Sequence, residues 1–397
     1  MHHFVITGAR VFNGADSLGI VDVEVADGRI ASVAGRRPEG VELIDGTGAT
    51  LLPGLIDAHT HTDAESLRQA LTFGITTELD MLSIPERMNP LRRQVAESSD
   101  LADVRSPSIG LTPADGHPHQ LRQREGDPPW PTATRVAEVP AFVEARILEG
   151  ADYLKVLVED GHLFGSALPR LAPELVAATV RAAHARDKMV LAHAMTIETA
   201  HQVVDAGVDG LTHLFFDRPH DDELIEKIAA AGIFVIPTLT VIASITGEPA
   251  GAELARDPRV RPKLTPIWLD NLSGAIATSP PENFGYALEA LAALRRAGVD
   301  ILAGTDAAHL GAPGMAHGAS LHGELRLLVS GGFTPLEALR TATSVPARRF
   351  GLDDRGRIEP GLRADLTLVT GDPTVTIDDT LSVQRVWRGG VPAPAAN

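Results

Sequence analysis

Five short apolar runs, LLPGLIDAHTHT, YLKVLVED, MVLAHAM, GLTHLFF and ILAGTDA, each carry residues of the metal-ligating kind at or near their ends: His59 and His61, Lys155, His193, His213 and Asp306. Residues this far apart meet only if the runs are neighbouring strands that deliver their ends to a common mouth. A closed barrel of parallel strands does this. Alternate residues of a strand face the same way, so His59 and His61 can converge on one cation while Thr60 points outward.

The stretches between these runs agree with a barrel. PELVAATVRAAHARD, IETAHQVVDAG, DDELIEKIAAAG and ALEALAALRRAG have the apolar period of helices, and several end in glycine as helices commonly do. Strands alternating with helices indicate a parallel α/β sheet. The expected strands are Leu51 to Asp57, Thr76 to Asp80, Ser108 to Thr112, Tyr153 to Val158, Met189 to His193, Gly210 to Phe215, Phe234 to Thr238 and Ile301 to Thr305. The two ends of the chain differ, with short β-branched runs punctuated by Asp-Gly and similar turns and no helical period. They are expected to pair into one small β-sandwich. The chain thus divides into a sandwich part over 1–52, a (β/α)8 barrel over 53–347 and the rest of the sandwich over 348–397. Two inserts, 113–135 and 240–281, are expected to overhang the C-terminal mouth.

Composition narrows the chemistry. The formal charge of -17 disfavours nucleic acid and anionic membranes, which the summed field would repel. Cysteine is absent, so disulfides and thiolate metal sites are excluded and imidazole, carboxylate and modified lysine remain as ligands. The first residues, MHHFVITGARVF, lack the basic segment and long apolar run of a secretion signal. Nor does any run approach the roughly 20 apolar residues of a membrane helix. A cytoplasmic enzyme acting on a small molecule is the expectation.

LLPGLIDAHTHT, GADYLKV, the paired His193 and His213, AGTDA, and the tail PLEALRTATSVPARRFGLDDRGRIEPGLRADLTLVTGDP together carry a family likeness. The chain resembles the amidohydrolase superfamily, in its imidazolonepropionase-like and prolidase-like branches, over nearly its whole length. The resemblance implies a distorted barrel flanked by a β-sandwich, with a hydrolytic water held by one or two divalent cations, zinc being the expected metal. It implies that His59, His61 and Asp306 bind the more buried ion, that His193 and His213 bind the second, and that carboxylated Lys155 bridges them. It also makes Asp306 the proton shuttle and a homo-oligomer the expected assembly.

Lys155 has a case of its own. An ammonium with an ordinary pKa of about 10.4 would be repelled by two cations, so lysine serves as a ligand only when modified. Addition of carbon dioxide reverses its charge and offers an oxygen to each metal. The chain has only Lys155, Lys188, Lys227 and Lys263 and otherwise uses arginine, so a lysine inside an apolar strand looks chosen for chemistry arginine cannot perform.

A single strand-end histidine is more often a core or loop residue than a ligand. The joint placement of six candidates on correctly ordered strands outweighs that. His117, in TPADGHPHQ, matches a substrate-holding loop of the prolidase-like branch, against the alternative of a solvated loop histidine. His162 either faces the pocket or caps its loop. His119, Arg122 and Trp130 are weaker candidates, and His317 and His322 are candidates to brace Asp306. The prolidase-like enzymes usually carry a tyrosine shortly after strand seven, where this chain reads IPTLTVIASI. Thr240 or a loop residue would have to substitute, or the substrate is not a dipeptide. The leading expectation is hydrolysis of an amide C-N bond in an N-acyl amine or amino acid, a dipeptide or a cyclic amide. Hydrolysis of an ester, lactone, carbamate or organophosphate is the alternative on the same site. A catalytically silent scaffold and a decarboxylase are the alternatives of other classes.

Overall fold

The computed structural model describes residues 2–119 and 130–394. The chain forms a distorted (β/α)8 barrel with a composite β-sandwich built from both ends. One sandwich sheet has four strands, in the order Arg29–Val33, Val23–Ala26, His3–Thr7 and Glu42–Asp45. The other has six, and it joins the termini: Leu366–Thr370 runs antiparallel between Ala49–Pro53 and Val383–Arg388. Trp387 is fully buried between the sheets, with its ring 5.5 Å from that of Phe4. A stacked aromatic pair of this kind adds about 0.5–1.5 kcal/mol beyond the area it buries.

The barrel strands are fewer and shorter than their apolar runs suggest. The expected strand from Leu51 to Asp57 divides at Gly54, whose N–H bonds to Asp365. Ala49–Pro53 before it belongs to the sandwich and Leu55–Thr60 after it opens the barrel. Periodicity could not reveal this break, because both halves are buried and apolar. In the third position Asp103–Arg105 pairs with Ile75–Asp80, while within the expected 108–112 run only Leu111 makes a bridge, to Val156. Pro107 has no N–H to give a ladder, and Ser108 adopts a left-handed φ of 62°. Leu154–Leu157, Val190–His193, Gly210–Thr212 and Phe234–Ile236 then form a continuous parallel sheet.

The expected eighth strand, 301–305, is reduced to single bridges, Ile301 to Val235 and Ala307 to Thr60. Hydrogen bonds from Ala58 N to Ala303 O and from Leu302 N to Val235 O nevertheless carry the ring from the seventh position back to the first. The insert after strand seven is not an overhanging loop. It folds into Leu239–Thr246, Ala250–Arg256 and Pro266–Ser273, whose Leu254, Trp268 and Leu272 enter the main core. Among the described residues no helix is long and apolar enough to cross a membrane.

Candidate metal centre

Barrel register brings the chemistry-bearing side chains together. In the parallel sheet Leu157 lies opposite His193, and Lys155 one layer below lies opposite Leu191. Across the ring junction, Asp306 N donates to His59 O and His61 N to Ala307 O, so Asp306 sits beside both histidines of the first strand. Asp306 Oδ1 is 3.1 Å from Nε2 of His59 and 3.1 Å from Nε2 of His61. The His59 and His213 rings are 4.8 Å apart and those of His213 and His193 4.5 Å. His59, His213 and Asp306 each offer a ligand atom within 4.8 Å of the others.

The backbone at this junction is pinned by a carboxylate the sequence reading did not single out. Asp57 Oδ1 accepts from His59 N at 3.2 Å and Thr305 N at 3.1 Å, and Oδ2 accepts from Thr305 Oγ1 at 2.8 Å. Asp306 itself has a left-handed φ of 58°. Uncommon backbone conformations of this kind concentrate at functional sites, because the surrounding structure must hold them. Gly304 lies so close beneath His59 that a Cβ there would fall 2.8 Å from His59 N.

Electrostatics favour neutral imidazoles and a neutral amine. Burial, reinforced by Lys155, holds His59 and His193 at about 3. Burial and the neighbouring His193 and His59 likewise keep His213 well below its ordinary value. Burial lowers Lys155 to about 7, against the opposing fields of Asp306 and Asp80. For Asp306, burial opposes ionisation, but the imidazoles of His59, His61 and His213 outweigh it and hold the carboxyl well below the usual range. Neutral imidazole and ionised carboxylate are the forms that ligate a metal.

The donor set fits divalent cations. Both ring nitrogens of His59 are buried without a well-aligned hydrogen bond among the described residues. The outer nitrogens of the other two are engaged: His193 Nε2 lies 3.1 Å from Glu159 Oε2, and His213 Nδ1 lies 2.8 Å from Thr238 Oγ1. Partners of this kind fix ring orientation, and they leave His193 Nδ1 and His213 Nε2 available as donors. Neither Glu159 nor Thr238 was anticipated. The only sequence signal was their position, two residues beyond strands that carry or adjoin ligand candidates.

The remaining candidates separate. His117 is brought in, its ring stacked 4.7 Å from His193 and 5.8 Å from Phe164. His162 is exposed, and its N–H bonds to Asp160 at the start of a short 3-10 turn, so it serves its own loop. Thr240 is turned inward: it is 4% exposed and its hydroxyl and N–H both bind Glu324. His317 pairs with Glu78 at 3.0 Å, and His322 with Thr380 and Phe73 O, so neither braces Asp306. His119 packs on Trp130 at 5.2 Å. Arg122 lies outside the described residues.

A barrel with this donor cluster at its C-terminal mouth defines a class, and sequence comparison gives it a family. Residues 50–393 match the Amidohydrolase family, and the chain belongs to it. An adenine deaminase of Desulfatibacillum aliphaticivorans is 25% identical over 96% of this chain and 56% of its own length. The chain spans about half the length of the adenine deaminases it matches from end to end. Among solved structures, an amidohydrolase superposes with a TM-score of 0.79 at 23% identity, covering 99% of each chain. A Xaa-Pro dipeptidase with methionine bound in its active site gives 0.78 at 22% identity, covering 99% of this chain and 100% of that one. At these identities the two structures speak for the fold.

Proposed function

We propose that the chain is a metal-dependent hydrolase that cleaves an amide C-N bond in a small molecule: an N-acyl amine or amino acid, a dipeptide or a cyclic amide. In this reading His59, His61 and Asp306 hold one cation, His193 and His213 hold a second, and Lys155 bridges them as its carbamate. The observation that carries it is the cluster itself: Asp306 lies 3.1 Å from both His59 and His61, the His213 ring lies between those of His59 and His193, and Lys155 is buried on the strand beside that of His193, where burial lowers its amine to about 7. A lysine kept half neutral near physiological pH is a nucleophile for carbon dioxide. Its nitrogen forms the new bond to carbon, one N–H proton leaves, and the product is the anion two cations require.

When bound, two divalent cations, zinc being the expected choice, activate water at neutral pH and polarise the scissile carbonyl. The chain does the rest. Asp306 accepts the proton of the attacking water and delivers it to the leaving amine nitrogen as the C-N bond breaks. Glu159, 3.1 Å from His193 Nε2, keeps that imidazole in the ligating tautomer. His117, stacked between His193 and Phe164, stands where it can donate to the substrate carbonyl. The sequence relatives named as adenine deaminases support a C-N bond as the target.

A single cation on His59, His213 and Asp306 is the second reading, favoured by the 4.8 Å clustering of those three. The deciding experiment is metal content per chain on protein purified without chelators, with intact mass under gentle conditions. It is followed by rates on matched amide and ester substrates. Two ions, a carbon dioxide adduct on Lys155 and faster amide turnover are expected. One ion with unmodified lysine would replace the binuclear reading, and ester preference would replace the amide assignment.

A further inference from the structure

Thr238 stands between the strand Phe234–Ile236 and the helix Leu239–Thr246, in the position of an N-cap. Threonine caps helices well, with extended backbone and its side-chain oxygen turned onto the second or third N–H. Here it does neither. Its backbone is left-handed, at φ 49° and ψ 46°, and its side chain makes no cap bond. A β-branched residue resists that conformation, which glycine would adopt freely. Glycine, however, has no hydroxyl, and the Thr238 hydroxyl is turned to Nδ1 of His213 at 2.8 Å.

The missing cap is supplied from elsewhere. Glu324, fully buried on the helix Ala319–Ser330, accepts from Leu239 N at 2.9 Å through Oε1. Its Oε2 accepts from Thr240 N and from Thr240 Oγ1, both at 2.8 Å. All eight residues of the capped helix are buried, so water could not replace these bonds, and leaving the first N–H groups unpaired would be costly. The carboxylate thus occupies the cap and frees the threonine.

We propose that Thr238 is a positioning residue for His213, and that Glu324 holds it in the strained turn that makes this possible. The inference rests on the reading of His213 as a metal ligand. With Nδ1–H donated to Thr238, the ring is fixed in rotation and tautomer and Nε2 is the nitrogen presented to the cation. Loss of an outer partner of a ligating histidine typically costs 10–100-fold in metal affinity.

The test uses full-length protein, stripped of metal and titrated with zinc against a chromophoric chelator, with thermal midpoints recorded in parallel. Thr238→Val keeps the branching and removes the oxygen. It is expected to weaken the more weakly held zinc by about 10–100-fold, while Thr238→Ser stays within a few-fold of the parent. Glu324→Gln is expected to move in the same direction as Thr238→Val. Parental zinc affinity in a folded Thr238→Val protein would overturn the proposal. Should that variant not fold, parental affinity in Glu324→Gln overturns it instead. His213→Ala separates the two levels: if it too binds zinc like the parent, the ligand reading has failed, whereas if only His213→Ala loses zinc, the positioning role alone has failed.

Discussion

Gly304→Ala would test whether the barrel junction sets the position of His59. The glycine backbone lies outside the left-handed region, so alanine is admitted conformationally and the whole effect is steric. The new methyl would stand 2.4 Å from Ile236 Cγ2, 2.8 Å from His59 N and 2.9 Å from His59 Cβ. Ile236 is fully buried and has nowhere to go. Ordinary contact begins near 3.4 Å, so His59 must retreat by about half an ångström, while overpacking of a dense core costs about 1–3 kcal/mol. A 1 Å misplacement in an active site can cost about a hundredfold in rate, so about a tenfold loss in kcat/KM is the least expected, with reduced metal occupancy. The assay compares kcat/KM on an amide substrate, zinc per chain and urea unfolding. The control is Gly285→Ala, at an exposed helical glycine with nothing within 4 Å. Unchanged kcat/KM and zinc content in a folded Gly304→Ala protein would refute the claim that His59 is placed by this contact.

Asp306→Asn should reduce turnover by two orders of magnitude or more, in line with losing a general acid-base worth about 10²–10⁴-fold. Its circular dichroism and melting profile should match the parent, and substantial residual turnover would remove Asp306 from proton transfer. Lys155→Ala should lose activity that short carboxylic acids with bicarbonate partly restore; full activity without them would end the bridging role. Between barrel and sandwich, Asp103 meets Arg355 at 2.5 Å and Arg363 and Arg105 at 3.2 Å. Burial opposes its ionisation, but Arg355 and Arg105 outweigh that and hold the carboxyl below the usual range. A depressed folded-state pKa gives stability that is present above the unfolded value of about 3.9 and lost as pH falls below it. Asp103→Asn should therefore cost about 1.5–3 kcal/mol at pH 7, the worth of the lost charge-assisted bonds, because Arg355 and Arg363 keep Asp354 and Asp365 as partners. That difference from the parent should shrink below about pH 4, and urea unfolding at both pH values would show it.

The ligand candidates were legible because their chemistry is local. A histidine, lysine or aspartate at or near the end of an apolar run announces both its strand and its place toward the barrel mouth. Their order along the chain fixes the strand each belongs to. The Glu324 bond to Thr240 was hidden for the opposite reason: a hydroxyl just past a strand has the same sequence signature whether it faces a pocket or a buried carboxylate 84 residues away. The eighth position is thinner than the apolar run 301–305 suggests, because composition says nothing of how many ladder bonds a strand makes, here only a bridge and a few hydrogen bonds.

Amino-acid order alone therefore determined the class of fold, the pairing of the two ends and the residues proposed to hold a cation. Each follows from periodicity and from the chemistry of single side chains. Tertiary structure decided which atoms of those residues are free. Glu159, Thr238 and Glu324 act through contacts 34, 25 and 84 to 85 positions away in sequence. Asp57 acts across the barrel seam, 248 positions from Thr305. Hydrogen bonds extend only about 3 Å, so these partnerships exist only once the ring has closed.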